Sequence, residues 1–548
     1  MTVEDPSPAT VGLDDPSFPV EFGDPADAAL AWERDDMHMP FAVTPLAGDY
    51  AAGIIGESFN GHWEQFGAPY RMRGHTWNGY VYFAFIRNVP DEERKASQAW
   101  WVDVLRSRIA VTHTWWQADA LPELARIYEA VAAIPVDDLD AAALADAWET
   151  AWVRLLRAWV IHFVAIMGPY QVLEDLSDAY NQAIGAGRDA EALTLIRGAH
   201  HELEDVEAGA ERLAASALQR PEIAARLTAA GPTPSRDELV AYPGGPEFVA
   251  ELDGYLTQHG HLGQNHDDLG LASWGEEPDV FLGNLAKRIQ QPAPPSTERE
   301  ARHSQEAEAL ASHVREALVD KPESLAAFDE VLAHARDIGY LTEGHNYWID
   351  RMAQARLRAL VMRVGRRLAR DNRIEGPGDI FFLHRAEVAE TLQGGLDRRD
   401  LVAERKVKHA RNQTLRPPYN IGKPPGEREP DRFDGEHHES SEPSVLRGTG
   451  ASAGVVTGPA RVALGPDDFA RILPGDIIVC PSSNPSWVPV FTIAGGLVTN
   501  TGGVLSHAAV VAREFGLPAV VGVANATTTI RDGQQLEIDG VTGTVRLL

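Results

Sequence analysis

The sequence predicts a multidomain chain, mostly α-helical through its long first part and α/β at its end. Three observations predict it. Over residues 29–403 apolar residues recur at helical spacing. From residue 448 onward they fall instead into short Val/Ile-rich runs separated by Gly, Pro and Asp, the pattern of short strands. Between the two, residues 404–447 carry no apolar period.

In chain order, residues 1–28 are acidic and rich in Pro and Gly, and a loosely attached N-terminal arm is expected. Helices are predicted over 138–167, 190–217, 297–318, 322–335 and 346–370, parted by breakers such as Gly231-Pro232, Gly244-Gly245-Pro246 and Pro292-Ala293-Pro294-Pro295. The alternation in Gly79-Tyr80-Val81-Tyr82-Phe83 suits a short strand. Residues 404–447 begin with Arg405, Lys406, Lys408 and Arg411 and turn Pro-rich and acidic, which reads as a flexible linker. In the last domain, 448–548, strands are expected at 454–456, 461–464, 476–479, 496–499, 519–521, 535–538 and 544–547.

The chain has 548 residues, 44% hydrophobic and 24% charged, which allows several globular cores. A net charge of −31 argues against nucleic acid as a partner, because no basic surface dominates. The single cysteine, Cys480, allows no internal disulfide and, with no signal peptide recognised, points to the cytoplasm. The most apolar stretch, 158–167, is too short to cross a membrane and contains His162, so a buried helix and no membrane association are expected.

The most informative segment is Thr501-Gly502-Gly503-Val504-Leu505-Ser506-His507-Ala508-Ala509. It reads as a glycine turn delivering one histidine to a helix start, with Ser506 as N-cap and Gly516 and Pro518 closing the helix. Free N–H groups and the positive end of the helix dipole favour an anion there and a neutral, nucleophilic imidazole. Gly502 and Gly503 allow close approach of a phosphate donor.

Around this turn stand Gly450-Ala451-Ser452-Ala453-Gly454, Val456-Thr457-Gly458-Pro459-Ala460, Leu473-Pro474-Gly475-Asp476, Asn484-Pro485-Ser486-Trp487, Gly516-Leu517-Pro518-Ala519 and Asp532-Gly533. With them, residues 448–548 resemble the mobile phosphohistidine domain of the phosphoenolpyruvate-utilising enzymes, a superfamily that includes phosphoenolpyruvate synthase, pyruvate phosphate dikinase and rifampicin phosphotransferase. The resemblance implies a swivelling domain in which His507 is the phosphorylated residue, with Gly502, Gly503 and Ser506 around its phosphate. Leu505 stands where many relatives have Thr. A carrier that visits two sites gives the linker the purpose of a hinge.

The helical part resembles the substrate-binding domain of rifampicin phosphotransferase-like proteins at residues 36–46, at Gly260-His261 through Trp274-Gly275-Glu276-Glu277-Pro278, at Glu343-Gly344-His345-Asn346-Tyr347-Trp348-Ile349-Asp350, and at Gly378-Asp379-Ile380. Transfer to a hydroxyl needs a group that takes the proton and basic groups that hold the phosphoryl oxygens. His345 is the candidate base, Arg356 and Arg358 are candidate phosphate contacts, and His261, Asp350, Trp348 and Trp274 are candidate pocket residues. On an α-helix Asp350 lies too far round from His345 to orient it. No metal site is expected, since His259, His261, His266, Asp267 and Asp268 are too loosely spaced for zinc. His200 and His201 lie in a charged stretch and are expected to face solvent. Of the chain's 13 tryptophans all but Trp487 precede the linker, as core residues that together suit an aromatic pocket.

There is no G-x-x-x-x-G-K-[ST] phosphate loop, and no stretch resembles the ATP-grasp module or the phosphoenolpyruvate-binding barrel of the larger relatives. The resemblance therefore implies a separate ATP-grasp-type subunit that binds ATP and Mg²⁺ and phosphorylates His507 in trans. This arrangement is similar to the two-subunit phenyl phosphate synthases, including those acting on 4-methylphenol. Basic residues that the rifampicin enzymes carry near Thr342 and Asn346 are absent, which also favours a small aromatic acceptor. A rifampicin-type antibiotic phosphotransferase and a non-catalytic, ligand-sensing phosphocarrier are the alternatives.

Overall fold

The computed structural model describes residues 18–35, 38–63, 66–186, 188–197, 202–263, 268–290, 295–423, 444–483, 487–491, 493–504 and 506–548. Its architecture is the expected one: a helical N-terminal part and an α/β sheet domain near the C-terminus. The helical part is built round Ala141–Ala165 and Met167–Ile184. Asp140 caps the first of these by accepting from the Ala143 amide at 2.9 Å. Trp148, Trp152, Leu155, Ala158 and Trp159 recur at helical spacing along it and are buried against Met352–Arg370 and Arg385–Gly394. These two helices form an apolar run of membrane-spanning length that is mostly enclosed by the rest of the protein. The predicted core role of the tryptophans thus holds for Trp116, Trp148 and Trp152, whereas Trp100 is exposed.

A second, smaller core joins Glu202–Leu218, Pro221–Thr228, Gly245–His259 and Pro278–Gln290 around Phe248, Leu252 and Phe281. The helix predicted over 190–217 is interrupted: Asp189–Ala192 passes into a 3₁₀ turn at Leu193–Ile196 before the helix at Glu202–Leu218. His200, His201, His266 and Asp267 lie outside the described residues.

Three expectations are corrected by long-range pairing. The single short strand is a hairpin, Tyr70–Trp77 (β2) with Tyr80–Arg87 (β3), in a four-stranded antiparallel sheet with Ala31–Arg34 (β1) and Asn420–Gly422 (β4), in the order β2-β3-β1-β4. Its turn uses Asn78 and Gly79, both at positive φ. The described end of the expected arm is not loose: Phe18 is fully buried against Tyr80 and Tyr82, and Trp77 Nε1 donates to the Glu21 carbonyl at 2.9 Å. The expected linker is folded at both ends. Residues Arg399–Asn412 are helical, β4 pairs with β1, and Val445–Arg447 (β5) pairs with the last strand. Its middle, 424–443, and the arm's residues 1–17 are outside the described residues.

The carboxy-terminal sheet adds Thr449–Ser452 (β6), Val455–Val462 (β7), Ile477–Cys480 (β8), Gly496–Thr499 (β9), Ala519–Val521 (β10), Gln535–Asp539 (β11) and Thr544–Leu547 (β12), in the order β5-β12-β11-β7-β8-β9-β10-β6. Strands β7, β8, β9 and β10 run parallel and the flanking pairs antiparallel. The two strands expected at 454–456 and 461–464 are one strand, β7, which pairs with β11 through its first half and with β8 through its second.

Candidate functional site

The carboxyl end of β9 leads directly into the glycine turn and then into the helix His507–Phe515, so His507 sits where open α/β sheets place their ligands. The turn is anchored to the end of β8: the Asn500 amide donates to the Cys480 carbonyl at 3.0 Å and the Thr501 amide to the Pro481 carbonyl at 3.2 Å. Gly502 has φ +105°, and a Cβ there would meet Ser506 Oγ at 2.7 Å, so the position requires glycine. Ser506 occupies the N-cap position with extended backbone, but its hydroxyl donates to the Gly503 carbonyl at 2.8 Å instead of accepting from the helix amides. That departs from the expected side-chain cap. Gly516 at φ +63° ends the helix, its N–H donating to the Ala512 and Arg513 carbonyls. The backbone of His507 is described; its side chain lies outside the described residues.

This turn is docked on the helical part. Val504 is buried in the same core as Ile161, Phe163 and Ile349. Nearby contacts join the domains: Arg299 lies 4.8 Å from the centre of the Phe515 ring and Lys287 lies 5.5 Å from that of Phe469.

In the helical part, one group of ligand-type side chains stands out among the described residues. His162, His345 and Asp350 are all buried, with one nitrogen or oxygen of each within 4.8 Å of the others. His162 comes from the Ala141–Ala165 helix. Its Nδ1 donates to Asp350 Oδ1 at 2.7 Å, which fixes the proton on Nδ1 and leaves Nε2 with its lone pair. The His345 ring stands edge-on to that of His162, with centroids 4.5 Å apart. His345 Nδ1 donates to the Leu341 carbonyl, again leaving Nε2 as the basic atom. Burial, and then the nearby His162, push the pKa of His345 down to about 4, so this ring is neutral at pH 7. Two imidazoles and a carboxyl group can take a proton from a hydroxyl, and the same three groups have the chemistry to hold a divalent ion.

Backbone geometry explains why Asp350 reaches this cluster. Residues Leu341–His345 form a short α-helical turn, and Asn346–Arg351 winds as a π-helix before Met352–Arg370 resumes α geometry. At 3.6 residues per turn, positions five apart sit about 140° apart round the axis. Bonding from i to i+5 brings them onto one side, and such turns recur at functional sites. The expectation that Asp350 is turned away from His345 assumed α geometry. The residue that Asp350 orients, however, is His162, which the sequence marked only as part of a buried helix. The pair is separated by 188 positions, and no local pattern announces it.

The other candidates separate. Arg358 is buried but engaged: Nε bonds Glu276 Oε2 at 2.8 Å, and Nη1 donates to the Leu269 and Gly270 carbonyls at 3.0 and 2.8 Å. It clamps the loop before Glu276 and is not free for phosphate. Arg356 is exposed. Arg351, on the π-turn itself, is buried with unmet donors. It is 5% exposed, and neither Nε nor Nη2 has a partner. Burial lowers its pKa to about 9, which still leaves it charged at pH 7.

His261 lies over Tyr347, with ring centroids 4.5 Å apart, and its buried Nε2 has no partner. Burial is the main cause of a pKa lowered to about 3. Trp348 donates from Nε1 to Glu202 at 2.6 Å, and Trp274 packs against Phe281 in the second core. Tyr128, whose hydroxyl donates to the Trp348 carbonyl at 2.8 Å, and Tyr50, which accepts from Trp159 Nε1 at 2.9 Å, are buried, and with Trp159 and Phe163, whose ring centroids each lie 4.8 Å from that of His162, they make up an aromatic enclosure around the cluster. Neither tyrosine was marked by the sequence.

Residues 472–543, which hold β8 to β11 and the glycine turn, match the family described as PEP-utilising enzyme, mobile domain. The α/β sheet domain near the C-terminus is thus the part that matches that mobile domain. Residues 161–343 match the fourth domain of rifampicin phosphotransferase, a span that opens one residue before His162 and ends two before His345. The chondramide synthase cmdD of Chondromyces crocatus is 30% identical over 97% of this chain and 14% of its own length. An uncharacterized phosphotransferase, YvkC, of Bacillus subtilis is 25% identical over 72% of this chain and 48% of its own. A rifampicin phosphotransferase of Streptomyces sviceus is 30% identical over 71% of this chain and 44% of its own. The chain spans less than half the length of each of these relatives.

Proposed function

We propose that this chain is a phosphotransferase component in which His507 carries a phosphoryl group to an acceptor hydroxyl bound at the His162–His345–Asp350 cluster. The observation that supports it most is the pairing of a mobile-domain match around His507 with a buried histidine–aspartate pair in the domain on which that turn docks. In the transfer step the bond between phosphorus and the His507 ring nitrogen breaks and the bond from the acceptor oxygen to phosphorus forms. The hydroxyl proton passes to His162 Nε2, whose ring Asp350 holds in the productive tautomer; His345 Nε2 is the second basic atom.

The phosphoryl source in this reading is ATP, bound with Mg²⁺ on a separate ATP-grasp-type subunit, giving AMP and phosphate along with the phosphorylated acceptor. The acceptor is a small aromatic alcohol of the phenol or 4-methylphenol class, which suits an enclosure of Tyr50, Tyr128, Trp159 and Phe163. A cytoplasmic location belongs to the same proposal. The relatives named rifampicin phosphotransferase favour a second reading, transfer to an antibiotic hydroxyl.

The test is to incubate ATP labelled at the β-phosphate with the chain and its ATP-binding partner, with the wild type and with His507→Ala. Acid-labile label on the wild type alone, chased onto phenols but not rifamycins, is expected. Label on both forms would rule out His507 as the carrier.

A further inference from the structure

Arg351, next to Asp350 on the π-turn, is a buried cation whose chemistry the transfer step leaves unused. We propose that its guanidinium is a carboxylate subsite, and that the phenolic acceptor carries an acid group on its ring. This rests on reading the enclosure as the acceptor site.

The donors that lack partners are Nε and Nη2, the two that lie along one edge of the guanidinium and bind both oxygens of a carboxylate at once. The same edge is used in this way elsewhere in the chain. Arg106 holds Asp175 with Nε at 3.0 Å and Nη2 at 2.6 Å, and Arg157 holds Glu123 with Nε at 2.7 Å and Nη2 at 3.0 Å. Both of those pairs are on the surface, where water would satisfy the donors in any case. Arg351 is 5% exposed and has no such recourse. A buried cation without a counter-charge is strongly unfavourable, and it persists where a ligand supplies the anion.

Its position argues for the acceptor over the travelling phosphoryl group. Arg351 follows Asp350 on the π-turn, so the two side chains diverge from neighbouring positions. Tyr50 accepts from Trp159 Nε1 at 2.9 Å and the Trp159 ring lies 4.8 Å from that of His162, while Tyr128 donates to the carbonyl of Trp348 on the π-turn, so Asp350 and Arg351 both leave the turn beside one set of aromatic side chains. A ring with its hydroxyl at His162 and an acid group across from it would span these two positions. The phosphoryl group arrives with its own donors, the amides of the Gly502–Ser506 turn and the start of the His507 helix.

The test uses the full-length, unphosphorylated chain and calorimetric binding of 4-hydroxybenzoate, 4-hydroxybenzamide, 4-methylphenol and inorganic phosphate. The acid should bind at least about tenfold more tightly than the two neutral phenols of similar size. Arg351→Met should abolish that preference while binding 4-methylphenol as the wild type does, and Arg351→Lys should keep part of it. Arg351→Met should also raise the Tm of the ligand-free protein, because it removes an uncompensated buried charge; this confirms that the variant is folded. Equal binding of acid and neutral phenols, or a preference that survives Arg351→Met, overturns the proposal. Arg351-dependent binding of phosphate alone overturns it too, by assigning the edge to the phosphoryl group. None of these readouts requires phosphate on His507, so a failed carrier reaction and a failed subsite are distinguishable.

Discussion

Asp350→Asn isolates the dyad with almost no change in volume. In the native site Asp350 Oδ1 accepts from His162 Nδ1 at 2.7 Å, which leaves Nε2 basic. An amide at the same place donates to Nδ1, drives the proton to Nε2 and removes the base. General-base catalysis of this kind contributes about 10²- to 10⁴-fold, or about 3–5 kcal/mol of barrier. The assay is a single turnover: His507 is loaded, mixed with the acceptor, and the loss of acid-labile phosphate is timed. Loading of His507 should be unchanged, since Asp350 lies in the helical domain, and release to the acceptor should slow by at least a hundredfold. His345→Gln run in parallel apportions the proton between the two imidazoles. If Asp350→Asn transfers within about threefold of the wild type, the dyad does not act as the base. If it loads as poorly as it transfers, the defect is not in the acceptor step.

Arg358→Ala should destabilise the helical domain by about 3 kcal/mol in denaturant unfolding, because it orphans the Leu269 and Gly270 carbonyls and Glu276; His507 loading should survive at temperatures where the variant is folded. His345 is neutral in the folded state down to about pH 4, whereas the unfolded chain binds the proton near pH 6.5, so stability is greatest above pH 6.5 and is lost as the pH falls from there toward 4. Between pH 7 and pH 5 that loss amounts to about 2 kcal/mol and should be absent in His345→Gln, as followed by chemical denaturation at the two pH values. Lys287→Ala with Arg299→Ala removes two cation–ring contacts between the domains, together ~1–2 kcal/mol. Spin labels placed on either side of that interface should then report a larger undocked population, and an unchanged distance distribution would mean that other contacts hold the carrier down.

What the sequence made legible was local. The helical period of the first part, the short strands after residue 448 and the Gly502–His507 turn are all patterns within ten or so residues, and backbone chemistry alone dictates them. What it hid was either long-range or a departure from regular geometry. The β1–β4 pairing joins residues nearly four hundred positions apart, so residues 404–423 looked like linker. Phe18 looked like part of an acidic arm because the aromatic face that buries it, Tyr80 and Tyr82, belongs to a distant hairpin. Arg356 and Arg358 were better candidates on paper than Arg351, because nothing in one sequence says which arginine of a basic helix is satisfied and which is stranded.

The π-turn at Asn346–Arg351 is where these hidden features meet. Two other π segments, Asp49–Ile55 and Trp116–Ala120, border the same core, and the first contributes Tyr50 to the enclosure. A regular helix would stabilise the backbone better, since i→i+5 bonding is the rarer and poorer geometry. Together with the turn before it, this stretch buries His345, Asp350 and Arg351, and also Thr342 and Glu343, beside a core of aliphatic and aromatic side chains. Each of these choices works against stability, and they coincide in the core that Val504 of the glycine turn also enters. Packing alone gives no reason for that coincidence. A site that must hold an acceptor, take its proton and keep water out gives a reason for all of it.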